Sequence, residues 1–381
     1  MSARARVPDS PTARLAMSTL LGEPDRRVPG HFFNIMEHRH IERLAGASPG
    51  AYVRDPHGIY VAMVRALGTC SVDQYLAENP LTMGDAGFDG AAHGATTGAA
   101  QVTLDDIVID SPEAVVSHLE SRAFPALRAA AASVDEEGIA RAVLAHEAAL
   151  QERLGPGVLK IPYGHGSFPY LAYPAYGYTH YFAAYALYPE VVERHFALQA
   201  DLALRHNAAV ARAYAEGGLP PMLRLDHDMA DSRGPLVGLR SLERIWFPHF
   251  DRCLDPLRRA GIRLVWHCDG NLMPMLPGLL DCGIGGFQGF QYEDGMDYPA
   301  ICRMRTRGGE PLVIMAGVSV TRTLPYGTPS DVRRELAWLV ENGPPTGLFL
   351  ATSSSVTPGV PWENLAAFAQ GLRHYQTVGR A

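Results

Sequence analysis

Lysine occurs once in these 381 residues, at Lys160, among 33 basic side chains. A Schiff-base mechanism would therefore have to run through Lys160, while arginine is plentiful for holding carboxylates or phosphates; an arginine-favouring codon bias is the bland source of the imbalance. No apolar stretch approaches the roughly 18 residues needed to cross a bilayer. Residues 1–14 carry Arg, Ser and Pro without an apolar signal core, so a cytoplasmic location is expected. Basic runs are absent and the formal net charge is −7, which makes nucleic acid and anionic membrane poor partners. The cysteines, Cys70, Cys253, Cys268, Cys282 and Cys302, are odd in number and widely scattered, a pattern of reduced thiols rather than a disulfide framework. Neither a Gly-x-Gly-x-x-Gly turn at a first strand nor a Gly-x-Ser-x-Gly elbow is present, which weakens a dinucleotide-binding sheet and a serine hydrolase alike.

What is present is a core-forming composition, 47% hydrophobic and 19% charged, with a β-then-α rhythm. Helical pieces are expected over 41–67, a loop or lid over 83–100, and a strand over 101–109. Ser111-Pro112-Glu113 starts a helix, with Ser as N-cap and Pro at the first helical position. Further helices are expected over 134–154, 189–217, 241–260, 271–282, 298–305, 330–341 and 362–375. The strands between them fall at 158–161, 222–226, 262–267, 286–290, 312–316 and 348–350. Strands alternating with helices of this length pair in parallel. The fold class expected is therefore α/β, a (β/α)8 TIM barrel with N-terminal helical and hairpin additions. Residues 1–27 form a tail and short helix, and 28–381 a single barrel domain.

Three polar clusters close predicted strands: Asp226-His227-Asp228, His267-Cys268-Asp269, and Glu293-Asp294 with Asp297. Active sites of α/β folds gather at such carboxyl ends. Because side chains alternate along a strand, His267 and Asp269 share one side and Cys268 takes the other. An imidazole with carboxylates binds a divalent metal or works as an acid–base pair. The competing reading is that each aspartate caps a turn and that His227 and His249 are satisfied core residues. Tyr163, His165, Tyr176 and Tyr178, in a segment rich in tyrosine, glycine and proline, are expected to line a substrate pocket. Ser354, in the hydroxyl-rich stretch after the last strand, is expected to hold an anionic group of the substrate.

In their order and spacing, Asp228-Met229-Ala230 with Gly234-Pro235, His267-Cys268-Asp269-Gly270-Asn271, Gly295-Met296-Asp297, Gly317-Val318 and Val360-Pro361-Trp362-Glu363-Asn364 resemble the uroporphyrinogen decarboxylase superfamily. That superfamily includes zinc-dependent methyltransferases working with corrinoid proteins. The resemblance implies a single barrel with its pocket at the C-terminal strand ends. Two departures matter. The Met-Arg-Gln-Ala-Gly-Arg signature of authentic decarboxylases is missing around Asn34-Ile35-Met36-Glu37-His38-Arg39. The methyltransferases' His-x-Cys and distant Cys become His267, Asp269 and Ser353-Ser354-Ser355. What the resemblance leaves is a divalent metal on His267, Asp269 and Asp228, zinc first, with iron and manganese as alternatives.

The first expectation is metal-assisted methyl transfer or demethylation of a small molecule, with a corrinoid protein as partner and a homodimer as the default assembly. The runner-up is a decarboxylase or related lyase holding a small acid on Arg224, Arg233 or Arg322, each of which is otherwise expected in a surface ion pair. The third is a non-catalytic binding protein.

Overall fold

The computed structural model describes residues 8–78, 81 and 102–380; the expected loop over 83–100 lies outside them. Among the described residues, the chain is an α/β fold whose main strands run parallel: β1 His31–Phe32, β2 Ser71–Val72, β3 Leu159–Lys160, β4 Met222–Asp226, β5 Arg263–His267, β6 Ile284–Gln288, β7 Val313–Val318 and β8 Leu348–Thr352. Two ladders hold them, one of β1, β2 and β3 and one running from β4 to β8 in chain order. Single parallel bridges, Gly30–Leu350 and Tyr163–Arg224, link the ladders at both edges.

Alternation along each strand divides the apolar residues between two cores. Leu159, Ile161, Met222, Val265, Met315 and Phe349 belong to an inner cluster. Their neighbours Leu223, Leu225, Leu264, Trp266 and Ile314 face a larger cluster shared with the helices. Ser10 caps the helix Pro11–Leu20 by accepting the Ala13 N–H. This helix puts Ala13, Leu15, Ala16 and Leu20 into the inner cluster, stoppering the end where the strands begin. Burial of that kind contributes about 1.5–3 kcal/mol per large aliphatic side chain. At the opposite end the inner residues turn polar. Gly317 of β7 is what lets β8 approach there, since a Cβ would meet the Ser353 backbone nitrogen at 2.1 Å.

Several elements differ from the sequence expectation. The single strand expected over 101–109 is, over its described part, a hairpin of Val102–Leu104 with Ile107–Ile109. Asp105 and Asp106 form its turn with φ of 47° and 65°, a left-handed conformation that Asp tolerates. The helix expected over 241–260 is two, Leu239–Ile245 and Phe247–Arg259. Pro248 has no N–H to continue the first, so it begins the second. Pro274 and Pro277 likewise reduce the helix expected from 271 to a 3-10 turn, Met273–Met275, and a short α-helix, Leu276–Asp281. The strand expected over 286–290 ends at Gln288, because Gly289 takes φ +83°.

Candidate functional site

β4 and β5 pair in the register Asp226 to His267, and β5 meets β6 in the register His267 to Gln288. The chain beyond β4 carries Asp228 and the chain beyond β5 carries Asp269. Each of Asp228, His267 and Asp269 offers one ligand atom within 4.8 Å of those of the other two. The Asp269–Gly270 turn is seated on a neighbouring hairpin, where Asp231 O accepts the Asn271 N–H at 2.8 Å and a Cβ on Gly270 would meet the same oxygen at 2.6 Å. Asp228 Oδ1 accepts the Asp269 N–H at 3.2 Å, so Asp228 caps the turn as well as facing the imidazole.

The donor set is one imidazole and two carboxylates. His267 Nδ1 and Asp269 Oδ1 are buried with no hydrogen-bond partner among the described residues, which is costly unless something else satisfies them. Burial pushes the Asp269 carboxyl up; His267 draws it down, and Asp228, Asp226 and Glu293 push it up further. Several carboxyl groups facing one imidazole leave a deficit of positive charge that a divalent cation would offset. The residues thus fit a zinc, iron or manganese ion. Cys268 is turned to the other side, where its Sγ accepts the Met229 N–H at 3.2 Å. Burial pushes its thiol up to about 12, so it is a core thiol and not a thiolate ligand.

Below the triad a polar ladder crosses the interior. Ser71 and Asp73 hold the two ring nitrogens of His31 at 2.9 and 3.2 Å. Arg224 Nε donates to Asp73 Oδ2 at 2.6 Å, and its Nη1 to both oxygens of Asp226 at 2.8 Å. Tyr163 donates to Asp226 Oδ2 at 2.5 Å and accepts from Gln74 Nε2 at 3.0 Å. Burial opposes the charge on Asp73, yet Arg224 and His31 together hold it far below the usual carboxylate range. Arg224 is therefore a buried interior residue, not the surface ion-pair partner expected of it; the inward position on β4 decides this.

The other expected site residues scatter. His165 Nε2 bonds Glu147 Oε1 at 2.8 Å, and Glu147 also pairs with Lys160 at 2.9 Å, on the helix side of β3. The Tyr176 hydroxyl meets His118 Nδ1 at 2.8 Å, away from the triad, and Tyr178 packs at a tilt against Tyr173 with ring centroids 4.4 Å apart. Ser354 accepts the Thr352 hydroxyl on its carbonyl at 2.7 Å. His227 is a satisfied core histidine: its Nε2 accepts the Leu171 N–H at 2.8 Å, and burial pushes the imidazole down to about 4. Asp297 caps a helix by accepting the Ala300 N–H. Tyr173, part of the aromatic segment expected to wall a pocket, donates its hydroxyl proton to Asp228 O at 2.9 Å; His31, Asp73, Gln74 and Gln288 escaped the sequence reading. Asp73 closing the run Cys70-Ser71-Val72 was the one available signal.

Residues 166–375, more than half of the chain, match the uroporphyrinogen decarboxylase (URO-D) family. The chain belongs to that family. A solved methyltransferase from Methanosarcina mazei is similar over 96% of this chain and 99% of its own length, with a TM-score of 0.56 at 17% identity, a likeness of fold. None of the curated proteins matches the sequence. The triad stands just beyond the carboxyl ends of β4 and β5.

Proposed function

We propose that this URO-D family chain is a (β/α)8 barrel enzyme, closed through its two edge bridges, that performs metal-assisted methyl transfer or demethylation on a small molecule, with a corrinoid protein as methyl-carrying partner. The observation carrying this reading is the convergence of Asp228, His267 and Asp269 with unpartnered buried atoms on the last two. The similarity to the Methanosarcina mazei methyltransferase supports the choice of reaction class. A divalent ion held by the three side chains would supply Lewis-acid polarisation of a substrate heteroatom.

The chain's own groups bind and orient. Burial and Asp226 keep the Tyr163 phenol protonated, so Tyr163 donates a hydrogen bond and does not act as a base. Arg224 fixes Asp226 beneath the triad, and Tyr173 holds the backbone of Asp228 in place. Decarboxylation ranks second, because the arginines offered for a substrate carboxylate are engaged. Arg224 is committed to Asp73 and Asp226, Arg233 pairs with Asp231 at the surface, and Arg322 leans on Glu293 O at 3.5 Å. Elemental analysis for Zn, Fe, Mn and Co is the test. About one metal per chain is expected, and it should disappear in His267→Ala; unchanged metal in that variant overturns the reading.

A further inference from the structure

A cavity lies away from the triad, between the Val102–Ile109 hairpin, the helix Phe124–Ala132 and the long helix Pro189–Gly217. Its volume of about 500 Å³ falls within the range of small-molecule sites. Ala126 and Ala130, one turn apart on the same helix face, leave the room, and Leu104, Leu127 and Leu202 complete an apolar wall. Aromatic faces come from Phe168, Tyr170 and Tyr176. No lysine or arginine is among the described residues lining it.

Asp105, Ser167, Gln199 and two imidazoles, His118 and His195, make the polar part of the lining. His118 is saturated, with Tyr176 on Nδ1 at 2.8 Å and Asp105 on Nε2 at 3.1 Å. His195 is not: it is 5% exposed, it lines the cavity, and its Nδ1 has no hydrogen-bond partner among the described residues. An imidazole in the wall of an open cavity, with a ring nitrogen that no neighbour satisfies, is a group that a ligand can engage. Burial, with a smaller push from His118, brings its imidazole down to about 4, so at neutral pH it offers a hydrogen bond and no charge.

We propose that this cavity binds a small, uncharged, mostly apolar molecule carrying one hydrogen-bonding group, an alkylphenol being the type, with His195 as its polar contact. The absence of a cation on the walls argues against carboxylates and phosphates, and the short apolar wall and ring faces suit a flat hydrocarbon body. The cavity is separate from the triad. Phe168 and Tyr170 stand between them, packing on His227 with centroids 6.5 and 6.2 Å apart.

The test is calorimetric titration of the full chain at neutral pH with p-cresol, and with toluene as the partner lacking the hydroxyl. One saturable site for p-cresol is expected, with toluene about tenfold weaker. Ala126→Phe fills the space from an exposed helix position, and Ala130→Leu does so more mildly. Both should abolish p-cresol binding while the melting temperature and metal content stay at wild-type values. His195→Leu should bring p-cresol down to the affinity of toluene. Absence of saturable binding, equal affinity for the two probes, or p-cresol binding that survives both cavity-filling variants overturns the proposal. None of these outcomes depends on whether the triad holds a metal.

Discussion

Carboxylates and rings surround the Arg224 guanidinium: Asp73 and Asp226 accept its protons, and Phe33 and Tyr163 lie 5.1 and 4.6 Å from it. A buried pair of this kind gives little net stability as a pair, but removing one partner strands the other in a dry interior. Arg224→Met should therefore cost about 3–5 kcal/mol in denaturant unfolding, and adding Asp73→Asn to it should return a large part of the loss. A single variant within about 1 kcal/mol of wild type would mean that Asp73 reaches solvent and the ladder has been misjudged. The same residues show why only part of the site was legible. His267 ends a five-residue strand whose alternation gives its side, and Asp269, two residues beyond, converges on it. His31 and Asp73 flank or occupy two-residue strands, too short to carry a period, and only tertiary closure brings them to Arg224.

Among elements, the long helix Pro189–Gly217 and the strand Met222–Asp226 coincide with the sequence expectation. Proline at the helix start and Gly217-Gly218 at its end mark the helix, and a run of buried residues marks the strand. The misread elements are those where local chemistry outranks periodicity: a turn built on two aspartates, and helices interrupted by proline. The helix Pro11–Leu20 was legible as a helix but not as part of the core, since one apolar stripe looks the same whether it covers the ends of parallel strands or another neighbour. Its seat in the inner cluster makes a clear prediction. Leu20, 1% exposed, should cost about 2–5 kcal/mol when cut to Ala, and the unfolding transition should remain single. A loss under about 0.5 kcal/mol, the size of a surface change, would show that the helix is dispensable to the inner cluster.

At the scale of the whole molecule, two buried groups tilt stability with pH in opposite directions. His195 takes up its proton near 6.5 when unfolded but near about 4 in the native chain. The unfolded state thus binds more protons through that window, and stability falls as pH drops from 6.5 toward 4, by up to about 3 kcal/mol. Glu335 behaves oppositely. Burial, only partly offset by the Ser319 N–H, pushes its carboxyl from 4.5 up to about 7. The native state then holds the proton that the unfolded state has released, and stability falls as pH rises through that window. Between these limits the two slopes cancel in part, leaving a broad optimum in mildly acidic solution. Glu335→Gln separates them, because Gln can still accept the Ser319 N–H now taken by Oε1 at 2.8 Å without becoming charged. The variant should exceed wild type by on the order of 2 kcal/mol near pH 8, with most of that gain gone near pH 5. Urea unfolding at the two pH values decides the matter: a gain of equal size at both would assign the effect to packing and remove Glu335 from the pH balance.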